Sequence, residues 1–494
     1  MVELMERVDT VRLDVARRTE RKHKSALGQF MTPTGIARFM ASLFPRNNRD
    51  NCRLLDAGAG IGSLSSAFLD RCGSDGFNFI QTEVDVFEVD EALHDHLNET
   101  LALHATRLPM RYRINAGDFI EHAVNSTGIW GTTRNYTHAI LNPPYKKIGS
   151  HSRHRLLLRQ AGIETVNLYS AFVALALAQL EDGGHLVAII PRSFCNGPYY
   201  RPFREWLLAR AAIHHMHLFA SRNQAFRDDE VLQENIILLL ERGGKQGAVT
   251  ISTSTDDGFT DLVKNVHPFE RIVFPSDTER FIHVPESAEP DTIALSPAIR
   301  HSLADLNIEV STGPVVDFRL RDFLRTMPEV GCVPLLYPNH FANGRTEWPK
   351  VGVKKPNAIV RNEETDKWLF PTGCYTVVRR FSAKEEVRRI VANVVDPADF
   401  PGHHSLGFEN HLNVFHHAKH GLPENLARGL AVYLNATVVD DHFRRFNGHT
   451  QVNATDLRRM RYPSQEALHT LGQWAIRKFP TQTEIDQKVE EIIT

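Results

Sequence analysis

Short apolar segments alternate with longer amphipathic segments between residues 51 and 242. Seven of the short segments are typical of strands: CRLLDAG, VDVFEVD, YRINAGDF, HAILNPP, HLVAIIP, IHHMHLF and ENIILLLE. Segments with apolar residues at helical spacing lie between them, such as SLSSAFLDRC, EALHDHLNETLALHA and NLYSAFVALALAQL. Strands that alternate with helices predict a doubly wound, mostly parallel sheet of the α/β class. Ligands of such sheets bind beyond the carboxyl ends of the strands.

The remainder of the chain has a different pattern. The first 50 residues are helical in pattern. The segment ALGQFMTP separates a charged stretch from the apolar segment GIARFMASLF. Beyond residue 242 Pro, Gly, His and Asn become more frequent and strands are harder to recognise. The pattern therefore predicts four parts: a helical segment (1–50), the α/β domain (51–242), a linker (243–300) and a second, α+β domain (301–494).

Bulk charge does not indicate a partner, because 57 Lys and Arg residues nearly balance 59 Asp and Glu residues. Any nucleic-acid surface must then be a local basic patch. Two candidate patches lie near the ends of the chain: Arg17, Arg18, Arg21, Lys22 and Lys24, and Arg444, Arg445, Arg458, Arg459 and Arg461. The alternative interpretation of each patch is a solvated helix face.

The cysteines and apolar segments favour a cytoplasmic protein. Five cysteines are scattered without a CxxC pair, which predicts neither a disulfide framework nor a zinc ribbon and favours a reducing compartment. The first residues lack an apolar signal core. The longest apolar stretch, 168–180, is too short to span a bilayer, so we expect no membrane segment.

A glycine loop is the first chemical signal. The segment LDAGAGIG places Asp56, Gly58 and Gly60 at the end of a predicted strand, and the following helix offers free N–H groups. The segment is not a P-loop, because GK[ST] is missing, and it lacks the third glycine of a dinucleotide fingerprint. Asp56 would repel a pyrophosphate but suits the amino group of an amino-acid-like ligand. The alternative is a simple tight turn.

Two further acids end the next two predicted strands. Glu88 in FEVD can accept hydrogen bonds from both hydroxyls of a ribose, and Asp118 in AGDF can accept one from the amino group of an adenine ring. For Asp118 alone the alternative is a helix N-cap. Together the three acids fit a nucleoside with a cationic amino-acid tail.

The strongest local signal is the tetrapeptide Asn142, Pro143, Pro144 and Tyr145 after the strand HAIL. The Asn142 side chain and the Pro143 carbonyl can accept both hydrogens of one amino group, and the prolines hold that carbonyl rigidly. The nitrogen then becomes nucleophilic toward a methyl group, while Tyr145 offers a face for a planar substrate. The alternative is a Pro-rich turn after a strand.

Together these motifs resemble the S-adenosylmethionine (AdoMet)-dependent N6-adenine DNA methyltransferases with the gamma-like motif order. In LGQFMTP, Phe30, Thr32 and Pro33 match the family's N-terminal cofactor segment, and AFRDDEVLQENIIL resembles the segment with a base-packing aromatic. We assign that aromatic to Phe226, with Phe219 as the alternative; for Phe226 a core role is the competing interpretation. The resemblance implies a seven-stranded Rossmann-like methyltransferase sheet followed by a DNA target recognition domain.

Two segments of the second domain indicate which group of DNA methyltransferases the chain resembles. PLLYPNHF and NGHTQVNATDLRRMRYP resemble recognition domains of BsuBI/PstI and Eco57I-like methylases of restriction-modification systems. This implies adenine methylation of double-stranded DNA, with CTGCAG as the candidate target, and a cognate endonuclease that acts separately. Because adenine N6 is paired inside the duplex, its nucleotide must be extruded, and Tyr145 and Phe226 are the candidates to stack on it.

Target readout is predicted in the C-terminal loop 447–453. Asn447, His449, Gln451 and Asn453 are candidate base readers, although Asn453 or Thr455 is better suited to cap the next helix than to read a base. Arg444, Arg445 and Arg458 are the candidate phosphate contacts.

Three other functions remain open from the sequence. Protein-glutamine methyltransferases also use NPPY but need less chain, an RNA adenine methyltransferase would use the same chemistry, and a DNA-binding module with a decayed site would not catalyse. The cluster His403, His404, His411, His416, His417 and His420 suggests a metal, but no HExxH or nearby cysteine supports it, so we expect none.

Overall fold

The structure is a computed structural model that describes residues 2–18, 31–46, 49–73, 77–126, 136–219, 234–275, 277–285, 293, 296–342, 344–382, 386–447 and 451–493. The chain divides into two compact units, Met1–Ala288 and Glu289–Thr494. Phe30, Phe226 and His449 lie outside the described residues.

The first unit is built on a nine-stranded sheet. Its strands are β1 (Asn51–Ala57), β2 (Gln81–Phe87), β3 (Met110–Asn115), β4 (Tyr136–Leu141), β5 (Leu180–Pro191), β6 (Ala211–Phe219), β7 (Asn235–Arg242), β8 (Val249–Ser254) and β9 (Val263–His267). Their order is β3-β2-β1-β4-β5-β7-β6-β8-β9. Strands β1 to β5 pair in parallel, whereas β7 runs antiparallel to β5 and β6. The predicted α/β class with a mostly parallel sheet is thus confirmed.

Helices cover both faces of this sheet. They are α1 (Val2–Arg18), α2 (Thr34–Leu43), α3 (Ser63–Cys72), α4 (His94–Ala105), α5 (Phe119–Ser126), α6 (Arg153–Gln160), α7 (Leu168–Gln179) and α8 (Arg201–Leu208). Leu54 of β1 lies in the core cluster with α2 to α4, and the next residue, Leu55, lies in the cluster with α5 to α8. Because successive side chains point to opposite faces, both faces are buried, which explains why these strands are apolar throughout.

The structure differs from the sequence prediction in the range 243–300. Strands β8 and β9 fall where a linker was expected and extend the predicted seven strands to nine. The sequence of β8, VTISTS, is polar because Ser252 accepts or donates hydrogen bonds with the buried His215 and His217 of β6, at 2.7 and 2.9 Å. A strand buried through hydrogen-bonded polar side chains escapes a search for apolar segments.

The second unit combines short, mostly antiparallel strands with C-terminal helices, as expected for an α+β domain. Its strands are β10 (Glu309–Thr312), β11 (Leu324–Arg325), β12 (Cys332–Leu336), β13 (Phe341–Ala342), β14 (Arg345–Thr346), β15 (Ala358–Val360), β16 (Leu369–Pro371), β17 (Tyr375–Arg379), β18 (Ala392–Val395), β19 (Ser405–Phe408) and β20 (Leu412–His416). They form a four-stranded sheet, β10-β20-β17-β18, a five-stranded sheet, β11-β15-β12-β19-β16, and the pair β13-β14.

The helices of the second unit pack closely at glycines. They are α9 (Glu424–Leu434), α10 (Thr437–Phe446), α11 (Ala454–Arg459), α12 (Gln465–Trp474) and α13 (Gln482–Ile493). A Cβ atom on Gly429 of α9 would lie 1.7 Å from the Leu468 carbonyl oxygen, and one on Gly472 of α12 would lie 1.7 Å from that of Asn425. Only glycine permits this backbone approach, which fixes α9 against α12.

Candidate active site

The glycine loop begins at the carboxyl end of β1. Gly58, Gly60 and Gly62 have φ angles of 82°, 57° and 87°, a left-handed conformation that favours glycine. The amides of Gly58 and Ala59 donate hydrogen bonds of 2.9 and 3.0 Å to the carbonyl oxygen of Phe87, the last residue of β2. The loop therefore connects the ends of two adjacent strands before α3 begins.

Glu88 follows β2 directly, and its carboxylate holds the glycine loop. Its Oε2 accepts a hydrogen bond of 2.7 Å from the Gly60 amide, and its Oε1 accepts one of 2.8 Å from the Asp90 amide. Burial raises the pKa of Glu88 above its ordinary value, although these amide bonds oppose the shift. Each carboxylate oxygen has a second lone pair, so the group can accept further hydrogen bonds.

Asp118 lies three residues beyond β3 and has two partners. Its Oδ1 accepts a hydrogen bond of 3.0 Å from the Glu121 amide, so Asp118 caps α5, as the alternative interpretation expected. Its Oδ2 lies 2.9 Å from Nε2 of His154 in α6. Burial raises the pKa of Asp118, but the bonds from His154 and Glu121 outweigh it and the net pKa is below its ordinary value. The same contact raises the pKa of His154.

Asp56 differs from the other two acids, because it is completely buried and does not line the cavity described below. Its Oδ2 accepts a hydrogen bond of 2.6 Å from the Ser65 hydroxyl of α3, whereas its Oδ1 has no partner among the described residues. Burial raises the pKa of Asp56 to about 7. Its observed contact therefore connects β1 to α3.

Asn142 follows β4 directly, and its amide is oriented from both sides. Its Nδ2 donates a hydrogen bond of 3.0 Å to Oγ1 of Thr32, and its Oδ1 accepts one of 3.2 Å from the Tyr145 hydroxyl. The hydroxyls of Thr32 and Tyr145 thus hold the two ends of this amide. A Cβ atom on Gly58 would lie 3.7 Å from the Asn142 carbonyl oxygen, so the glycine loop and the NPPY segment are neighbours.

Tyr145 is half-buried rather than open to the cavity. Its hydroxyl also donates a hydrogen bond of 3.3 Å to the Ile189 carbonyl oxygen of β5, and its ring lies edge-on to Tyr169, with 6.3 Å between centroids. Burial raises its pKa. A base-stacking role for Tyr145 stays a prediction.

One cavity of about 230 Å³ collects most of the described candidate residues, and this is far more space than a water molecule needs. Its lining includes Thr32, Gly58, Gly60, Glu88, Asp118, Asn142 and Pro144. Asp56, Pro33, Pro143 and Tyr145 do not line it. The cavity thus joins the glycine loop, two acids and the NPPY amide at the carboxyl ends of β1 to β4.

Several residues of this lining were not predicted from the sequence: Met31, Lys146, His154, Leu168 and Phe172. Phe172 and Leu168 come from the apolar helix α7, so the pattern predicted their burial but not their cavity. No motif marks His154, which reaches Asp118 across 36 positions of sequence. Phe219, the alternative base-packing aromatic, ends β6, is buried and does not line the cavity.

In the second unit, the described candidate base readers differ in burial and in their contacts. Asn447 is buried; its Oδ1 accepts a hydrogen bond of 2.8 Å from Arg389, and its Nδ2 donates one of 2.9 Å to Asp456. Asn453 forms a capping box with Asp456 at the start of α11, as its alternative interpretation predicted. Gln451 is only half-buried.

The candidate phosphate contacts also differ from one another. Arg444 forms an ion pair of 2.7 Å with Asp440 and donates a hydrogen bond of 2.8 Å to the Glu386 carbonyl oxygen. Arg445 is half-buried, whereas Arg458 on α11 is exposed. Of the three, Arg458 has the most accessible charge.

The described residues contain no group of three or more His, Cys, Asp or Glu side chains placed to hold a metal ion. Within the same ranges, every helix falls short of the length or apolarity that a bilayer crossing requires.

Two relatives match this chain over nearly its whole length. The chain is 53% identical over 500 residues to the type II methyltransferase M.BsuBI of Bacillus subtilis, covering 100% of this chain and 99% of that protein. It is 41% identical over 492 residues to the type II methyltransferase M.PstI of Providencia stuartii, covering 98% and 96%. The family model of the Eco57I restriction-modification methylase matches residues 86–226.

Solved structures share the fold at low sequence identity. A cryo-EM structure of a DrdV–DNA complex matches 96% of this chain and 60% of that chain, with a TM-score of 0.55 and 12% identity. The type IIL restriction-modification enzyme MmeI in complex with DNA matches 100% and 74%, with a TM-score of 0.50 and 10% identity. The family predicted from the motifs is confirmed by the full-length relatives: this chain belongs to the type II methyltransferases, the site-specific DNA methyltransferases of restriction-modification systems.

Proposed function

We propose that this enzyme transfers a methyl group from AdoMet to N6 of adenine in double-stranded DNA, within the sequence CTGCAG, and thereby protects DNA from a separate cognate endonuclease. The observation that carries the proposal is the Asn142 amide. It lines the cavity directly after β4, and the Thr32 hydroxyl fixes its orientation at 3.0 Å. An oriented amide oxygen beside a rigid proline segment suits an exocyclic amine.

The polar groups that line the cavity suit AdoMet. The left-handed glycines leave room for close approach, and Glu88 and Asp118 are acceptors on the cavity wall. We assign Glu88 to the ribose hydroxyls, Asp118 to the adenine amino group, and the segment with Phe30, Thr32 and Pro33 to the same ligand. Asp56 has a buried oxygen without a described partner, which suits the amino group of the methionine part.

The contribution of this chain to the reaction is electrostatic and geometric. AdoMet, when bound, supplies a methyl group on a positively charged sulfur. Asn142 Oδ1 and the Pro143 carbonyl oxygen accept the two N–H groups of the target amine, which keeps the nitrogen lone pair out of conjugation with the ring. In this arrangement Thr32 contacts the NH2 end of the amide, and the oxygen is the end that accepts from the substrate. The methylated amine then releases its proton to solvent.

The target adenine must leave the duplex to reach Asn142, at a cost of a few kcal/mol. We propose that Tyr145 and Phe226 recover part of that cost by stacking on the base. The Tyr145 hydroxyl is bonded to Asn142, so its ring and the amide are positioned together. Exposed Arg458, with Arg444 and Arg445, would contact phosphates.

The two catalytic alternatives and the decayed module are less well supported. Full-length identity to type II methyltransferases favours DNA over RNA or a protein glutamine. A decayed site would be expected to lose its polar contacts, whereas Glu88, Asp118 and Asn142 each keep theirs.

Transfer of a tritium-labelled methyl group tests the proposal. Purified enzyme is incubated with labelled AdoMet and a duplex that contains CTGCAG, a duplex in which its adenines are replaced by purine without the amino group, a scrambled duplex, and an RNA of the same sequence. We expect label only in the first duplex. Equal labelling of the purine-substituted duplex would refute N6 as the acceptor, and equal labelling of the scrambled duplex would refute CTGCAG.

A further inference from the structure

Three loops of the second unit meet at a group of side chains that we call the Gln451 cluster: Arg380, Phe381, Asn410, His411 and Gln451. Phe381 pairs with Gln451 in an antiparallel bridge. The Arg380 amide donates a hydrogen bond of 2.8 Å to the His411 carbonyl oxygen, and the Val452 amide donates one of 2.7 Å to the Arg380 carbonyl oxygen. Backbone hydrogen bonds therefore hold the three loops in one arrangement.

Arg380 lies at the centre of the cluster, and its partners are neutral. Its Nη1 donates a hydrogen bond of 3.2 Å to the Asn410 carbonyl oxygen, and its Nη2 donates one of 3.1 Å to Oε1 of Gln451. Its neighbour Arg379, by contrast, is paired with Glu386. Among the described residues no carboxylate forms an ion pair with Arg380, so its guanidinium contacts neutral acceptors only.

The contact with Arg380 decides how Gln451 presents its amide. Because Oε1 accepts from the guanidinium, the NH2 group is the end of the side chain that remains for a ligand. Nδ1 of His411 contacts Oε1 of the buried Glu409 at 2.5 Å, which leaves its Nε2 as the second polar atom available. The cluster thus offers oriented hydrogen-bonding groups.

Phe381 adds an apolar face to these groups. Its side chain is 41% exposed, although Phe is usually buried. Its ring centroid lies 4.8 Å from that of His411, and the Arg380 guanidinium carbon lies 5.6 Å from it. The ring thus packs beside His411 and Arg380 while the side chain stays accessible.

We propose that the Gln451 cluster reads a base pair of duplex DNA, with the Gln451 amide as the hydrogen-bond donor to a purine edge. The NH2 group matches the N7 acceptor of a purine or O6 of guanine, which face the major groove. A guanidinium without an ion-pair partner favours the phosphate backbone, and an apolar ring suits the methyl group of thymine. The proposal rests on the proposed function only in taking DNA that contains CTGCAG as the ligand.

The test compares full-length wild type with Gln451→Ala by fluorescence anisotropy on a CTGCAG duplex and a scrambled duplex. We expect Gln451→Ala to weaken binding of the CTGCAG duplex about tenfold and to leave the scrambled duplex unchanged, since a lost base contact removes only specific affinity. The matched control is Gln473→Ala, because Gln473 is an exposed glutamine on α12. An equal loss on both duplexes, or no loss on either, would overturn the proposal.

A second pair of variants separates DNA contact from folding. Phe381→Ala should reduce the affinity for the CTGCAG duplex at least a few-fold, whereas Trp474→Ala, which removes a 40% exposed aromatic of α12, should not. Equal unfolding midpoints for both variants would exclude a fold defect, and equal affinity of both variants for DNA would contradict the assignment. If wild type itself prefers another duplex, the choice of CTGCAG is wrong, and the same variants are then compared on the preferred duplex.

Discussion

The cavity of the first unit and the Gln451 cluster of the second unit are assembled in different ways. Glu88 and Asn142 each follow a parallel strand directly, so the sheet order alone brings them to one edge. Arg380, His411 and Gln451 come from three loops separated by 30 or more positions, and hydrogen bonds between loops join them. The proposed cofactor site is therefore marked by short motifs in this chain, whereas the proposed readout cluster is not.

The largest effect is expected at Asn142, in the cavity of the first unit. Asn142→Ala removes the proposed acceptor for the target amine, so turnover should fall about 10²–10³-fold, as for other groups that stabilise a transition state. Single-turnover methyl transfer measures this loss, while calorimetry should show nearly unchanged AdoMet affinity. Turnover near that of wild type would reject the role of Asn142.

Thr32→Val provides a graded control for the same amide. The variant removes the hydroxyl that bonds Asn142 Nδ2 at 3.0 Å but keeps Asn142 itself. We expect a smaller loss, about tenfold, because one hydrogen bond that positions the amide is absent. A loss as large as that of Asn142→Ala would mean that Thr32 acts on more than orientation.

For Asp56, the prediction concerns how the stability of the fold depends on pH. An acid whose pKa rises from 3.8 to about 7 on folding stabilises the fold only at low pH, and this contribution is lost as pH rises from about 4 to 7. The free energy of unfolding of Asp56→Asn relative to wild type should therefore increase by up to about 3 kcal/mol between pH 5 and pH 8. Urea unfolding at the two pH values measures it.

The Asp56 variant also separates two roles of this acid. If Asp56 holds the amino group of AdoMet, Asp56→Asn weakens AdoMet binding at pH 8 while it stabilises the apo protein. Unchanged AdoMet affinity would leave Asp56 with its observed contact to Ser65 alone. A relative stability that does not change with pH would contradict the raised pKa.

Glu88 tests the cofactor side of the cavity. Glu88→Gln should weaken AdoMet binding about 10–100-fold, because a hydrogen bond to a charged group is lost. Isothermal calorimetry measures the dissociation constant. Asp85→Asn is the matched control, since Asp85 lies in β2 but contacts Arg113 and Tyr136 and does not line the cavity. Equal effects of the two variants would contradict the ribose role.

The smallest effect is expected from surface arginines of the second unit. Arg458→Ala should weaken DNA binding a few-fold for any sequence and lower the salt dependence by about one phosphate contact. Arg444→Ala should change DNA binding less and stability more, because Arg444 is already paired with Asp440. Binding titrations at several salt concentrations distinguish the two. A larger loss of DNA affinity in Arg444→Ala than in Arg458→Ala would show that the internal contacts of Arg444 do not prevent it from binding DNA.

Much of the first unit could be predicted because local signals and topology coincide there. Apolar segments indicated seven strands, and Glu88, Asp118 and Asn142 could be placed at one edge from their positions after those strands. The hydrogen bond between Thr32 and Asn142 could not be predicted, since 110 positions separate the two residues. A polar strand such as β8 was missed because its burial depends on histidine partners in β6.

In the second unit, the short strands gave weak patterns, and burial decided the role of polar residues. Asn447 and Gln451 are alike as sequence, but one is buried against Arg389 and Asp456 and the other is accessible. Composition alone does not distinguish a polar residue that stabilises a loop from one that contacts a ligand.

The identity of the methylated base tests the central claim most directly. Duplex DNA containing CTGCAG is incubated with enzyme and AdoMet, digested to nucleosides and analysed by mass spectrometry. If Asn142 and the Pro143 carbonyl bind the amino group of adenine, the product is N6-methyl-2′-deoxyadenosine, and it disappears with Asn142→Ala. Methylated cytosine in its place, or methyladenine formed equally well by the variant, would contradict this account.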